Sequence, residues 1–177
     1  VKDISFSKII HTSTSEVYGS AKFVPMTEKH QLSAQSPYAA SKIGADQLAI
    51  SYYKSFDLPV SILRPFNTFG PRQSLRAIIP TIICQFLDKK LKKINIGNTH
   101  VTRDFNYIDD TVSAFVATIK ASNILGEVLN IGTGREISIK ALLKTVSKIT
   151  SFEKKINIEK IRIRNKATEV DRLCASN

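Results

Sequence analysis

No glycine-rich run of the G-x-x-G-x-x-G kind, which cradles a dinucleotide pyrophosphate after a strand, occurs in the sequence. That absence excludes a complete dinucleotide cradle within these residues. Cysteine is scarce as well: Cys84 and Cys174 stand far apart, so there is no disulfide framework, and inert thiols in a reduced, cytoplasmic setting are expected. His11, His30 and His100 show no metal-ligand spacing, so no metal site is expected, and His11 reads as a packed strand residue. The longest apolar stretch, Ala77 to Leu87, is interrupted by Pro80, Thr81 and Gln85 and is too short to span a bilayer. No signal-peptide pattern, internal repeat or low-complexity linker is present, and nothing marks a clean domain boundary.

What the 177 residues do contain is ordinary globular material, 42% hydrophobic and 23% charged, enough for one substantial core. The chain opens at Val1, just before a strand-like run, and reaches Asn177 without a terminating signal, so it reads as an internal fragment. Its net charge of +11, from 26 Lys+Arg against 15 Asp+Glu, invites a nucleic-acid reading. The distribution argues otherwise. Lysines are scattered over helix-like segments such as Lys89 to Lys93 and Lys154-Lys155, without interleaved aromatics or a nucleic-acid motif, as on solvated faces. Neither a nucleic acid nor a membrane is expected as a partner.

Phe6 to Thr12 is β-prone and runs into Ser13, Thr14, Ser15 and Glu16, which would place these polar residues at a strand's carboxyl end, where open α/β sheets bind ligands. A loop then leads to Ser36-Pro37, an N-cap followed by a first-turn proline, and apolar residues recur at helical spacing to about Phe56. Tyr38 and Lys42 therefore share one helix face. Pro59 to Leu63 reads as a buried strand, Arg64 to Gln73 as a loop, and Ile78 to Lys89 as a helix. Ile94 to Ile96 and Phe105 to Ile108 are β-prone, and Asp109-Asp110 opens a helix reaching Ala121. Glu127 to Ile131 reads as a strand and Ser138 as the cap of a helix to about Ile149. Alternating strands and helices define an α/β architecture.

A tyrosine titrates near pH 10 unless a positive charge favours its phenolate, and Lys42, one turn after Tyr38, supplies such a charge. With Thr14 able to bond the same hydroxyl, the three could deprotonate an alcohol as hydride leaves. Tyr-x-x-x-Lys alone is equally the spacing of helix packing and solvated charge. Glu16 reads either as an acid/base group or as a cap of the turn after the strand.

Four motifs in order narrow these options: STSEVYG (Ser13 to Gly19), SPYAASKIGAD (Ser36 to Asp46), RPFNTFGPRQ (Arg64 to Gln73) and TRDFNYIDD (Thr102 to Asp110). Together they resemble the extended short-chain dehydrogenase/reductase family of nucleotide-sugar epimerases, dehydratases and decarboxylases, and within it the 4,6-dehydratases of the legionaminic-acid type acting on UDP- or GDP-N-acetylglucosamine. The resemblance implies the C-terminal part of an NAD-binding Rossmann domain, a doubly wound parallel sheet, over residues 1–75. A smaller α/β substrate domain would follow over 76–177, with 104–121 returning to the first. It also implies N-terminal βαβ units ahead of Val1.

By the same resemblance, Tyr38 removes the C4 hydroxyl proton, Lys42 assists it and holds the nicotinamide ribose, and Thr14 orients the C4 oxygen. Glu16 would remove the C5 proton before water leaves from C6. Ser15 stands where one dehydratase branch has aspartate, so either Glu16 or a water relayed by Ser15 would protonate the leaving hydroxyl. Pro65 and Phe66 resemble the backbone segment near the nicotinamide carboxamide. Asn67, Arg103 and Arg164 match residues that contact the nucleotide-sugar diphosphate. Asn165 replaces the usual proline after Arg164, leaving Arg162 as the alternative. Asp104 favours a dehydratase or 4-epimerase over a decarboxylase. NAD as cofactor, a nucleotide-diphosphate sugar as substrate, a role in polysaccharide biosynthesis and a homodimer of the full-length protein are the further implications. A nucleotide-sugar decarboxylase or 4-epimerase, or a sugar-nucleotide-binding fragment without turnover, are the other readings.

Overall fold

The computed structural model describes residues 7–163, 165 and 168–176. Three parallel strands form the first sheet, in the order β1 (Ile9–Thr12), β2 (Val60–Pro65), β6 (Val128–Ile131). His11 pairs with Ile62, and Leu63 with Leu129. Strand β2 is central and buried from Val60 to Arg64, as a parallel strand covered on both faces must be. Helix α1 (Pro37–Phe56) joins β1 to β2. It starts where the sequence indicates: the Ser36 hydroxyl accepts from the Ala39 N–H at 3.1 Å and Pro37 occupies the first turn. Asp57, in the left-handed conformation, ends it.

The second layer is built on α2 (Ile78–Leu87) and α4 (Ile139–Thr150), with the parallel pair β4 (Lys93–Ile96) and β8 (Lys155–Ile158). Ile82, Phe86, Ile94, Leu143 and Val146 share its core. Between the layers lies a sheet in the order β3 (Asn67–Phe69), β5 (Thr102–Tyr107), β7 (Glu136–Ser138). Helix α3 (Ile108–Lys120) follows β5 and packs on β1, β2 and β3. Asp109 and Asp110 sit in its first turn, and Lys8 Nζ donates to the carbonyls of Thr118 and Ala121 at its end, each charge opposing the helix dipole. A second core gathers Val17, Tyr18, Met26 and Phe66 with Val170, Leu173 and Ala175, so the 170–176 segment packs against the loop that follows β1.

The Arg64 to Gln73 segment differs from its expected loop form. Arg64 and Pro65 complete β2, and Asn67 to Phe69 pair with Phe105 to Tyr107. Tertiary pairing decides this, because three residues have no periodicity of their own to signal a strand. The same holds for β7 and β8 and for the 3₁₀ turn Ser15–Tyr18. Gly132 is required by close approach: a Cβ there would lie 2.2 Å from the Ala175 Cβ and 2.9 Å from an Asp104 carboxylate oxygen.

His30 is 3% exposed. It packs at a tilt against Phe23 and meets Tyr18 edge-on, at centroid distances of 4.4 and 5.7 Å. Its Nε2 accepts from the Lys22 N–H at 3.3 Å. Burial, aided by the Lys22 charge, holds the imidazole below its ordinary value of 6.5. The unfolded chain thus takes up a proton that the folded one refuses, so stability is complete above pH 6.5 and falls as pH drops below it. Thermal unfolding across that range should show the melting temperature declining on the acid side. His30→Phe, which keeps the ring contacts, should flatten that part of the slope; an unchanged slope would exclude His30 as its source.

Candidate active site

At the carboxyl end of β1 the chain turns through Ser13 and Thr14 into the 3₁₀ turn Ser15–Tyr18. Thr14 is the N-cap: its hydroxyl accepts from the Glu16 N–H at 3.3 Å. Ser15 is buried and Glu16 half-buried. Helix α1 packs against this turn. Lys42 Nζ donates to the Thr12 carbonyl at 2.9 Å, which brings the ammonium to the strand end two residues before Thr14. Tyr38 is 50% exposed on the same helix.

A cleft of about 390 Å³ adjoins β3, β5 and α2. Glu16, Asn67 and Arg103, three of the residues singled out by sequence, line it; Thr14, Tyr38 and Lys42 do not. Arg162 lines it too and pairs with Glu159, whereas Arg164 lies outside the described residues. Arg76, Gln73 and Glu169 are further polar residues of its wall. Three guanidinium groups face the cleft, balanced by the Glu16 and Glu169 carboxylates in its wall and by Glu159 on Arg162, so it offers arginine donors to an anionic ligand without an excess of positive charge. Asn67 Oδ1 and Gln73 Oε1 are enclosed beside the cleft and have no hydrogen-bond partner among the described residues. Arg103 is oriented from behind: Nη1 donates to the Thr102 carbonyl at 2.7 Å, and Nη2 stands 3.9 Å from Glu169 Oε1.

Pro65 ends β2. The Phe66 side chain is a core residue, its N–H donating to the Ile131 carbonyl at 2.8 Å. Asp104 is fully buried and works as a clamp. Its carboxylate accepts from Thr133 N–H and hydroxyl, from Gly134 N–H at 3.0 Å and from Ala175 N–H at 3.1 Å, tying the turn after β6 and the 170–176 segment to β5 beside Arg103. Among the described residues no group of His, Cys, Asp or Glu could hold a metal ion.

A buried polar network that the sequence does not announce lies beneath the strand ends. Asp46 accepts from Arg64 Nε at 3.0 Å and Nη2 at 2.9 Å, and its other oxygen meets His11 Nε2 at 3.1 Å. Arg64 Nη1 donates to the Tyr18 hydroxyl at 3.0 Å, which donates to Asn130 Oδ1 at 2.7 Å. Burial raises the Tyr18 phenol above 10.0 against the lowering influence of Arg64, so it stays a neutral donor. Arg64, a charge inside the largely apolar run VSIL-R-PF, and Asp46, one turn beyond Lys42, were the available signals.

A parallel sheet with Thr14 and Glu16 just past the end of β1, Tyr38 and Lys42 on the helix beside it and an arginine-lined cleft nearby defines a class: a Rossmann-type α/β fold whose motifs resemble those of extended short-chain dehydrogenases. The chain belongs to the family described as GDP-mannose 4,6 dehydratase, whose profile matches residues 2–177. It is 41% identical over 160 residues to dTDP-D-glucose 4,6-dehydratase of Dictyostelium discoideum, covering 84% of this chain and 36% of that protein. Among solved structures it is similar to UDP-glucuronic acid 4-epimerase from Bacillus cereus, in complex with UDP-glucuronic acid and NAD. There the TM-score is 0.88 at 34% identity, with 99% of this chain and 54% of the other covered. The dTDP-glucose 4,6-dehydratase of Bacillus anthracis, in complex with NAD, gives a TM-score of 0.85 at 30% identity, over 96% of this chain and 52% of that one. The chain thus spans from about a third to about half of these relatives' length.

Asp104→Asn replaces an acceptor of four donors by a group that turns an N–H₂ toward N–H bonds. A loss of about 2–3 kcal/mol in unfolding free energy is expected, read as a lower urea midpoint. An unchanged midpoint would show that the clamp contributes nothing net.

Proposed function

We propose that the chain is the catalytic portion of an NAD-dependent nucleotide-sugar 4,6-dehydratase acting on an N-acetylglucosamine nucleotide. The observation that carries the reading is the placement of Glu16. It lines the arginine-bearing cleft with Asn67 and Arg103, and it belongs to the turn capped by Thr14. This supports a reading in which one carboxylate faces the arginine-lined cleft from the turn that follows β1, the strand whose end Lys42 of α1 reaches.

The residues present fit the nicotinamide end of NAD: an open strand edge at Thr12 and Pro65, an exposed phenol at Tyr38 and an ammonium held there by the Thr12 carbonyl. When bound, NAD supplies hydride acceptance and return. Tyr38 takes the proton of the sugar C4 hydroxyl, Lys42 stabilises the charge that develops on the phenol, and Thr14 orients the C4 oxygen. A C4 ketone acidifies the neighbouring C5–H, whose proton Glu16 accepts. The hydroxyl leaving C6 takes a proton from Glu16 or from a water relayed by Ser15. Arg103, with Arg162 or Arg164, neutralises the diphosphate, for which a guanidinium fork is suited. Unpaired Cys84 and Cys174 support a reducing, cytoplasmic setting, and the exposed Leu48, Tyr52 and Phe56 of α1 support a homodimer of the whole protein.

A 4-epimerase is the second reading, favoured by the likeness to UDP-glucuronic acid 4-epimerase. Glu16 separates the two, because epimerisation at C4 needs no base at C5. Full-length protein supplied with NAD and UDP-N-acetylglucosamine should form a 4-keto-6-deoxy sugar, and Glu16→Gln should cut its formation by about 10²-fold or more. If C4 epimers interconvert instead and Glu16→Gln leaves the rate intact, the dehydratase reading fails.

A further inference from the structure

Helix α1 is twenty residues long, yet Ala39 and Asp46 are its only buried positions among the described residues. Among the described residues Ala39 and the partly buried Ile43 supply its apolar contacts, which have no direction and do not by themselves fix where along the sheet, and at what rotation, the helix comes to rest. Directional contacts do that. Asp46 lies one helical turn beyond Lys42 and two beyond Tyr38, the three winding over one face by about 40° per step. It is held by His11 of β1 and by Arg64 of β2, neighbouring strands in fixed register. The next residue of β1, Thr12, receives Lys42. Consecutive strand residues thus engage consecutive turns of the helix.

Arg64 reaches the other half of the site as well. It donates to the Tyr18 hydroxyl, and its guanidinium stands 5.0 Å from that ring's centroid. Tyr18 closes the 3₁₀ turn that Thr14 caps and that carries Glu16. One guanidinium, 2% exposed, thereby joins the helix bearing Tyr38 and Lys42 to the turn bearing Thr14 and Glu16. Neither Asp46 nor Arg64 lines the cleft.

We propose that Asp46 and Arg64 are positioning residues that set the Tyr38–Lys42 pair against the Thr14–Glu16 turn. The proposal rests on the catalytic reading above. Proton removal at C4 and at C5 requires two groups on different segments to address adjacent carbons of one sugar. A misplacement of about 1 Å costs on the order of 10²-fold in rate. Lysine in place of Arg64 keeps the charge but not the fork, and cannot serve Asp46 and Tyr18 together.

In the full-length enzyme, Arg64→Lys should lower kcat by about 10²-fold and leave KM for the nucleotide sugar within about threefold. The double variant Asp46→Leu/Arg64→Met distinguishes positioning from mere stability, because an apolar pair of similar volume commonly restores stability lost with a buried ion pair. It should melt close to the wild type and still show the kcat loss. Wild-type kcat in that double variant, or a loss confined to KM, would overturn the proposal. Tyr38→Phe tests the underlying reading separately. If wild-type turnover is absent or survives that substitution, amide exchange decides the positioning question. Residues 37–46 should then exchange about tenfold faster in the double variant while β2 stays protected, and an unchanged α1 would overturn the proposal.

Discussion

The Arg64 guanidinium, enclosed in the protein and shared between Asp46 and Tyr18, is the contact on which the arrangement of the site depends. Burying a cation is costly unless its donors are met, and here Nε, Nη1 and Nη2 all have partners. Each partner belongs to a different segment. Asp46 brings α1, Tyr18 brings the 3₁₀ turn, and through Asn130 the network reaches β6 and the Met26 carbonyl. Hydrophobic burial holds the layers together, but it has no direction. The buried ion pair adds the direction, at a desolvation cost that a well-packed apolar cluster would not incur.

A second constraint shapes the cleft. Its three arginines lie on α2's approach, on β5 and on the 3₁₀ turn after β8, so no local stretch of sequence concentrates the charge. Glu169 and Glu159 stand beside two of them, which orients each guanidinium before a ligand arrives. Behind Arg103, Asp104 fastens β5 to two other segments. The arginine is therefore presented from a rigid strand.

Much of this was legible in the sequence where local rules operate. The Ser36 cap, the Pro37 start and the helical spacing to Phe56 carry their own signals, and α1 forms over that span. Ser138 likewise caps α4. Buried β2 followed from its apolar run. What escaped was set by distant partners: β3, three residues whose strand character comes from β5, and Gln73, Arg76 and Glu169, which meet only once α2 and the 170–176 segment are in place. Asp46 and Tyr18 stood within recognisable motifs, yet their motif neighbours drew the chemistry. A carboxylate on a helix face reads as solvated until a cation on a buried strand is brought against it.

The pairing of the 170–176 segment with residues near the start of the chain governs how the molecule can be made. Met26 exchanges backbone hydrogen bonds with Cys174 and Ser176, and Ser20 Oγ donates to the Glu169 carbonyl across a separation of 149 residues. Contacts so distant cannot form until nearly all of this chain has left the ribosome. Until then Tyr18, Met26 and Phe66 lack the apolar cover of Val170 and Leu173. High contact order of this kind slows folding and prolongs exposure of apolar surface during synthesis. Chaperone demand in the cell is thus tied to the same stitch that completes the cleft.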